Sequence, residues 1–165
     1  ELLVDGKIRK DIRFPVGFMD VVSVPESKLY YRVGYDHLGR FNANNIKEKE
    51  TGLKIVSIKN KIRHGSLYQI TTNDGRCINV KLTEGKKLAT NDSLLIKVPS
   101  QEIVKHLEFK SGAKAFIIGG KHVGQAATIK DIKEDGIVVT IDKNDYKTIK
   151  NYVFVTGENK EELSI

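Results

Sequence analysis

The run Ala113-Lys114-Ala115-Phe116-Ile117-Ile118-Gly119-Gly120-Lys121-His122-Val123-Gly124-Gln125-Ala126-Ala127-Thr128-Ile129-Lys130-Asp131-Ile132 carries the pattern from which the fold is read. Two short stretches of strand-forming residues flank a glycine-rich turn. Runs of this kind, bounded by glycine, read as β-strands. In the second run Thr128 and Lys130 alternate with Ile129, the period of two expected of a strand with one buried face. Further on, Asp135-Gly136 is expected to turn the chain into Ile137-Val138-Val139-Thr140-Ile141, and Tyr146 to Ile149 and Tyr152 to Val155 complete the set. Five short strands in about fifty residues predict a small SH3-like barrel over residues 108–157.

Upstream the same grammar continues. Asp5-Gly6, between Leu2-Leu3-Val4 and Lys7-Ile8-Arg9, is a favoured two-residue hairpin turn. Phe14-Pro15 then breaks the ladder, because proline has no N–H to donate. Val21 to Val24 and Leu29 to Val33 read as strands joined around Pro25-Glu26-Ser27. The turn from Tyr35 to Phe41 feeds a third. Asn45 is placed to cap a short helix ended by Gly52. Leu53 to Ile62 alternates, and Leu67 to Thr72, Asn73-Asp74-Gly75 and Arg76 to Val80 form a hairpin. Leu94 to Val98 is a strand ended by Pro99, and Gln101 to Leu107 reads as a connection. The expected division is 1–22, 23–107, 108–157 and a loose polar tail, 158–165.

Composition narrows the function. The chain has 165 residues, with 28 Lys plus Arg against 21 Asp plus Glu, a formal net charge of +7. That excess suits a polyanion, since each neutralised phosphate releases counterions. A hydrophobic fraction of 39% favours several small sheets over one thick core. The lone Cys77 can make neither an intramolecular disulfide nor a zinc site, which points to a reducing compartment such as the cytoplasm. No window approaches the roughly 18 to 20 apolar residues of a membrane span, so no membrane partner is expected. The chain opens on Glu1 and its only methionine is Met19, so it is expected to be the C-terminal part of something longer.

The turn Gly119-Gly120-Lys121-His122-Val123-Gly124 is the sharpest chemical feature. Its glycines permit positive φ and close backbone approach, and Lys121 and His122 lie on the turn beside main-chain N–H groups. It is no P-loop: His122 stands where Ser or Thr is required, and no glycine lies five positions before Gly120. It also fails the dinucleotide fingerprint. A phosphate cradle and a plain tight turn both fit it. Lys7, Arg9, Lys10 and Arg13 beside Asp5-Gly6 read either as a phosphate-facing patch or as a solvated, aggregation-resistant edge. Period two places Lys59, Lys61 and Arg63 on one face, followed by His64, with Lys81, Lys86 and Lys87 as a further cluster. The nearby aromatics Tyr30, Tyr31, Tyr35, Phe41 and Tyr68 could stack on bases but read as core.

Catalysis finds no support. His37, His64, His106 and His122 lack metal-ligand spacing, and Ser66, Ser93 and Ser111 lie in no nucleophile elbow. Glu48 and Glu50 sit in an exposed charged stretch. No cofactor, metal or small-molecule substrate is expected.

Three stretches resemble the archaeal and eukaryotic e-type family of small-subunit ribosomal protein four. They are Val4 to Arg9 with Phe14 to Val22; Tyr31-Arg32-Val33 with Tyr35-Asp36 and Gly39-Arg40; and Gly119 to Gly124 with Tyr152 to Gly157. They stand in the family's order, and the glycine turn resembles the archaeal branch. The resemblance implies that residues 1–22 end an S4-type RNA-binding domain, that a central β domain follows, and that the last part is a KOW module with Gly124 at its hallmark position. It implies a structural, non-enzymatic role on the ribosome, with small-subunit rRNA and neighbouring ribosomal proteins as partners, and adds Arg40 to the expected RNA contacts. The S4-type domain is incomplete here, and Gly52 interrupts a segment that in the family is more evenly helical. Two rivals are a KOW-containing transcription or translation factor that binds protein, and an enzyme with a dispersed site.

Overall fold

The computed structural model describes residues 1–133 and 136–165. Fifteen strands are found among them, in three five-stranded antiparallel sheets. The first holds β1 (Leu3–Val4), β2 (Lys7–Ile8), β3 (Val21–Val24), β4 (Leu29–Tyr35) and β5 (Phe41–Asn45), in the order β2-β1-β3-β4-β5. Asp5 and Gly6 both take positive φ, +49° and +73°, and pair Val4 with Lys7. This is the primed turn whose twist matches a hairpin. β1 also pairs with β3, so the sheet runs across residue 22.

The second sheet holds β6 (Leu53–His64), β7 (Leu67–Thr72), β8 (Cys77–Lys81), β9 (Ser93–Lys97) and β10 (Ile103–Leu107), with a single helical turn, α1 (Leu82–Gly85), after β8. The segment read as a connection, Gln101 to Leu107, thus contains a strand: β10 pairs with β9, bulging between Ile103 and Lys105. The bulge shifts the register, which hid the alternation. Asn45 does not cap a helix. It ends β5, and only a 3₁₀ turn at Glu48–Glu50 follows, with no side-chain cap. That stretch of Lys and Glu offers no apolar stripe to bury.

The third sheet holds β11 (Lys114–Ile117), β12 (Ala126–Lys133), β13 (Gly136–Ile141), β14 (Asn144–Thr148) and β15 (Val153–Gly157), in the order β14-β13-β12-β11-β15. These are the five strands expected of the barrel, and the sheet curls into a half-barrel. The anticipated Asp135-Gly136 turn lies partly outside the described residues, since only Gly136, at the start of β13, is among them.

The first half of β6, from Lys54 to Ile58, and β9 from Ser93 to Ile96 are buried on both faces. Ile55 and Leu95 enter a core with Phe116, Ile129, Val139, Phe154 and Val155 of the third sheet. Val56, Ile58, Leu94 and Ile96, one position out of phase, pack against Ile70, Ile78 and Val80. Each fully buried side chain of this size contributes about 1.5–3 kcal/mol. Phe18 and Met19, from the β2–β3 connection, join the first of these cores. The tail is not loose: Leu163 is buried in the same core, and the Ser164 carbonyl accepts a 2.7 Å hydrogen bond from Arg32. An apolar residue among polar neighbours anchored it. Among the described residues no helix is long and apolar enough to cross a membrane.

Candidate nucleic-acid interface

A cleft of about 670 Å³ opens between the first hairpin, the Phe14–Phe18 segment and the β7–β8 turn. Lys7, Arg9 and Arg76 line it, with Phe14 and Tyr35. Arg9 is half-buried and fixed in place: its guanidinium carbon sits 3.9 Å from the centre of the Phe14 ring, a cation–π contact. Lys7, Lys10 and Arg13 are exposed and carry no ion pair among the described residues. None of the four cations of the first hairpin and its connection has an acidic partner among the described residues, and three of them are exposed.

At the cleft's inner wall is a polar joint. Lys54 is buried, with Nζ at 2.8 Å from Asp5 Oδ2, 2.5 Å from Asp20 Oδ1 and 3.0 Å from Asp74 Oδ2. Arg76 Nε lies 2.6 Å from Asp74 Oδ2, and a second Arg76 nitrogen bonds Asp5. Burial works against the charged Asp74 carboxylate. The Thr72 hydroxyl, the Lys54 charge and the Arg76 hydrogen bond outweigh it and hold the carboxyl at about 2. Burial likewise pulls Lys54 down, but Asp5 and Asp20 together push it above its ordinary value. Three carboxylates face two cations, so the joint itself is not a source of positive charge. It ties the first sheet to the second, and the cations around it are what face outward.

The glycine turn is built by close approach. Gly120 and Gly124 take φ of +82° and +80°. A Cβ on Gly119 would fall 2.7 Å from the Tyr152 ring, and one on Gly124 would strike the Asp36 carbonyl oxygen. The turn is thus docked on the β4–β5 loop, where Val123 also packs over Gly39. Gly124 N–H donates to Ile117 O at 2.9 Å. The amides of Gly120, Lys121 and His122 make no backbone hydrogen bond among the described residues. Lys121 is exposed. His122 is anchored instead, its ring 4.1 Å from Tyr146 and its Nδ1 3.2 Å from Gln125 Oε1.

The other expected contacts separate. Arg40 is exposed beside the docked turn, its Nε 3.2 Å from Asp36 Oδ2. The backbone N–H groups of Arg40 and Leu38 help hold that carboxyl below its ordinary range, with burial opposing. Lys59, Lys61 and Arg63 stand on another sheet. A bulge between Ile58 and Asn60 interrupts the period-two count linking Lys59 to the other two. Lys61 is committed to the protein, with Nζ 2.7 Å from the carbonyl oxygens of both Gly85 and Leu88 and 4.7 Å from the centre of the Tyr68 ring. Lys59 and Arg63 are exposed. Sequence reasoning missed Arg76 and Phe14 as cleft residues. The only local signal was an aromatic five positions after Arg9.

The described residues contain no group of three or more His, Cys, Asp or Glu side chains able to hold a metal. Fold and site together define a basic three-sheet β protein that presents cations on turns and loop edges. The chain belongs to the ribosomal S4e family, structural and non-enzymatic components of the cytoplasmic ribosome. A model described as ribosomal family S4e matches residues 27–103. Over 172 aligned positions the chain is 41% identical to small ribosomal subunit protein eS4 of Methanocaldococcus jannaschii, covering 97% of this chain and 70% of that one. It is 37% identical to the Methanococcus vannielii protein of the same name, covering 100% and 72%. The crystal structure of 30S ribosomal protein S4e from Thermoplasma acidophilum superposes with a TM-score of 0.82 at 31% identity, covering 95% of this chain and 80% of that one.

Proposed function

We propose that the chain is a structural component of the small ribosomal subunit that holds small-subunit rRNA through Lys7, Arg9, Lys10 and Arg13 around the first cleft, and through Gly119, Gly120, Lys121, His122 and Gly124 with Arg40 beside them. The observation that carries this reading is the grouping of Lys7, Arg9, Lys10 and Arg13, none with an acidic partner among the described residues, within seven residues of chain beside one cleft. Elsewhere many are neutralised internally, as in Lys105 with Glu162 at 2.8 Å or Lys130 with Asp145. The cations of the first hairpin and Lys121 have no acidic partner among the described residues. Unpaired cations held on tight turns are what a phosphate backbone needs, because contacts to it position a protein without reading sequence. Lys59 and Arg63 would add a separate contact on the second sheet, whereas Lys61 acts on the protein itself. Neighbouring ribosomal proteins would cover exposed apolar residues such as Ile8 and Ile12, 54% and 95% exposed.

Binding of the chain to small-subunit rRNA, followed by filter retention across a salt series, tests this. Each phosphate contact should add roughly 0.7–0.9 to the slope of log affinity against log salt. Absent or salt-insensitive binding would sink the reading.

A further inference from the structure

Phe116, Phe18, Tyr35 and Phe41 form one column of near-parallel rings. Successive centroids lie 5.8, 5.0 and 5.1 Å apart, with planes within 18–20° of one another. The column starts in the core, where Phe116 and Phe18 are 8% and 9% exposed, and ends at Phe41, which is 59% exposed. Phe154 braces it edge-on against Phe18, at 5.0 Å and 84°. The outer step is set by register, because Tyr35 and Phe41 are directly paired across β4 and β5.

Single exposed apolar residues are ordinary on protein surfaces. Phe41 differs because its ring is the last member of a rigid stack and leads nowhere within the protein. β5 is an edge strand. On Phe41's own face the following residues are Ala43 and Asn45, small and polar. Along the strand that leaves one flat ring with no large apolar side chain after it, the exposed Leu38 lying before it on the β4–β5 loop. Arg40, immediately before it, is 71% exposed at its side chain. Its Nε is paired with Asp36 and its two terminal nitrogens have no partner among the described residues. The loop that carries Arg40 is the one on which the glycine turn with Lys121 is docked.

We infer that Phe41 is a stacking platform for one unpaired nucleobase of RNA, with Arg40 and Lys121 supplying cations for the flanking phosphates. The inference rests on the RNA-binding reading above and adds a mode of contact to it. Stacking on an aromatic face is open to any base, and a ring already fixed in a column loses little freedom when a base joins it.

The chain contains no tryptophan, so Phe41→Trp places a single fluorescent reporter on the platform. A single-stranded RNA about 12 nucleotides long, within the ~4–16 nucleotides such surfaces engage, should quench the introduced indole with the midpoint found by anisotropy of the labelled RNA. Phe41→Leu, which keeps an apolar contact with Tyr35 but no ring, should bind that RNA about 5- to 150-fold more weakly, the size of one stacked base. An indole left unquenched at RNA saturation, or full affinity in a folded Phe41→Leu protein, would overturn the platform while leaving RNA binding intact. Failure of the wild-type chain to bind RNA at low salt would instead remove the reading on which it rests.

Discussion

Lys54 Nζ and Asp5 Oδ2, 49 residues apart in the chain, lie 2.8 Å apart between the first and second sheets. Lys54 is 1% exposed and also reaches Asp20 and Asp74. Its ammonium is the one centre that all three carboxylates share.

Lys54→Met is therefore expected to destabilise the protein far more than a surface lysine substitution. Removing one partner of a buried charge cluster typically costs about 3–5 kcal/mol, because the remaining charges stay buried without compensation. Urea denaturation of the variant measures this. A loss below about 1 kcal/mol, the scale of an exposed pair, would mean that packing alone holds the two sheets together.

Acid should loosen the same joint. The Asp74 carboxyl sits at about 2 in the fold against an ordinary 3.8. A carboxyl held low contributes stability that is complete above its unfolded value and fades as pH falls toward its folded one. The window is therefore pH 4–5 down to 2. Linkage makes the contribution about 2 kcal/mol. Asp74→Asn should lower stability at pH 7 and flatten the acid limb of a melting-temperature profile. An acid limb identical to wild type would assign the acid sensitivity to other groups.

Much of this architecture is legible in the sequence because turns announce themselves. Asp5-Gly6 and Asn73-Asp74-Gly75 stand between alternating runs, and Asp5, Gly6 and Gly75 take the positive φ their hairpins need. The half-barrel was legible for the same reason. The joint was not, since Asp5, Asp20, Lys54 and Asp74 come from separate elements and no local pattern links them. Bulges defeated period counting at Lys59 and in β10. Lys61 reads as one more surface cation until its ammonium is seen on two carbonyls of the α1 region. Phe41 reads as core because alternation gives a face but not whether anything covers it.

Those two lysines on β6 should behave oppositely. Lys61→Ala removes hydrogen bonds to the Gly85 and Leu88 carbonyls, and such bonds to a charged donor contribute about 1.5–3 kcal/mol each at most. It should lower the melting temperature and leave the salt slope of RNA binding unchanged. Lys59→Ala should leave the melting temperature unchanged and, if Lys59 meets phosphate, reduce the slope by roughly 0.7–0.9. A reduced slope in a fully stable Lys61→Ala protein would return Lys61 to the RNA contacts.

In the glycine turn, backbone and side chain should separate in the same way. Gly124 combines φ of +80° with a Cβ position occupied by the Asp36 carbonyl, and a backbone atom cannot swing aside as a side chain can. Gly124→Ala should cost at least about 1–3 kcal/mol and undock the turn from the β4–β5 loop. Gly120→Val puts a β-branched side chain at the same positive φ, 3.2 Å at its Cβ from the Tyr152 ring, so it should also destabilise. Lys121 is exposed with no acidic partner among the described residues, so Lys121→Glu should melt with wild type yet bind RNA more weakly and with a shallower salt slope. Because Gly124→Ala damages the docking that presents Lys121, its RNA affinity should fall with its stability, whereas in Lys121→Glu only affinity falls. Wild-type affinity and slope in Lys121→Glu would leave Gly119 to Gly124 as a structural turn that holds the half-barrel against the first sheet.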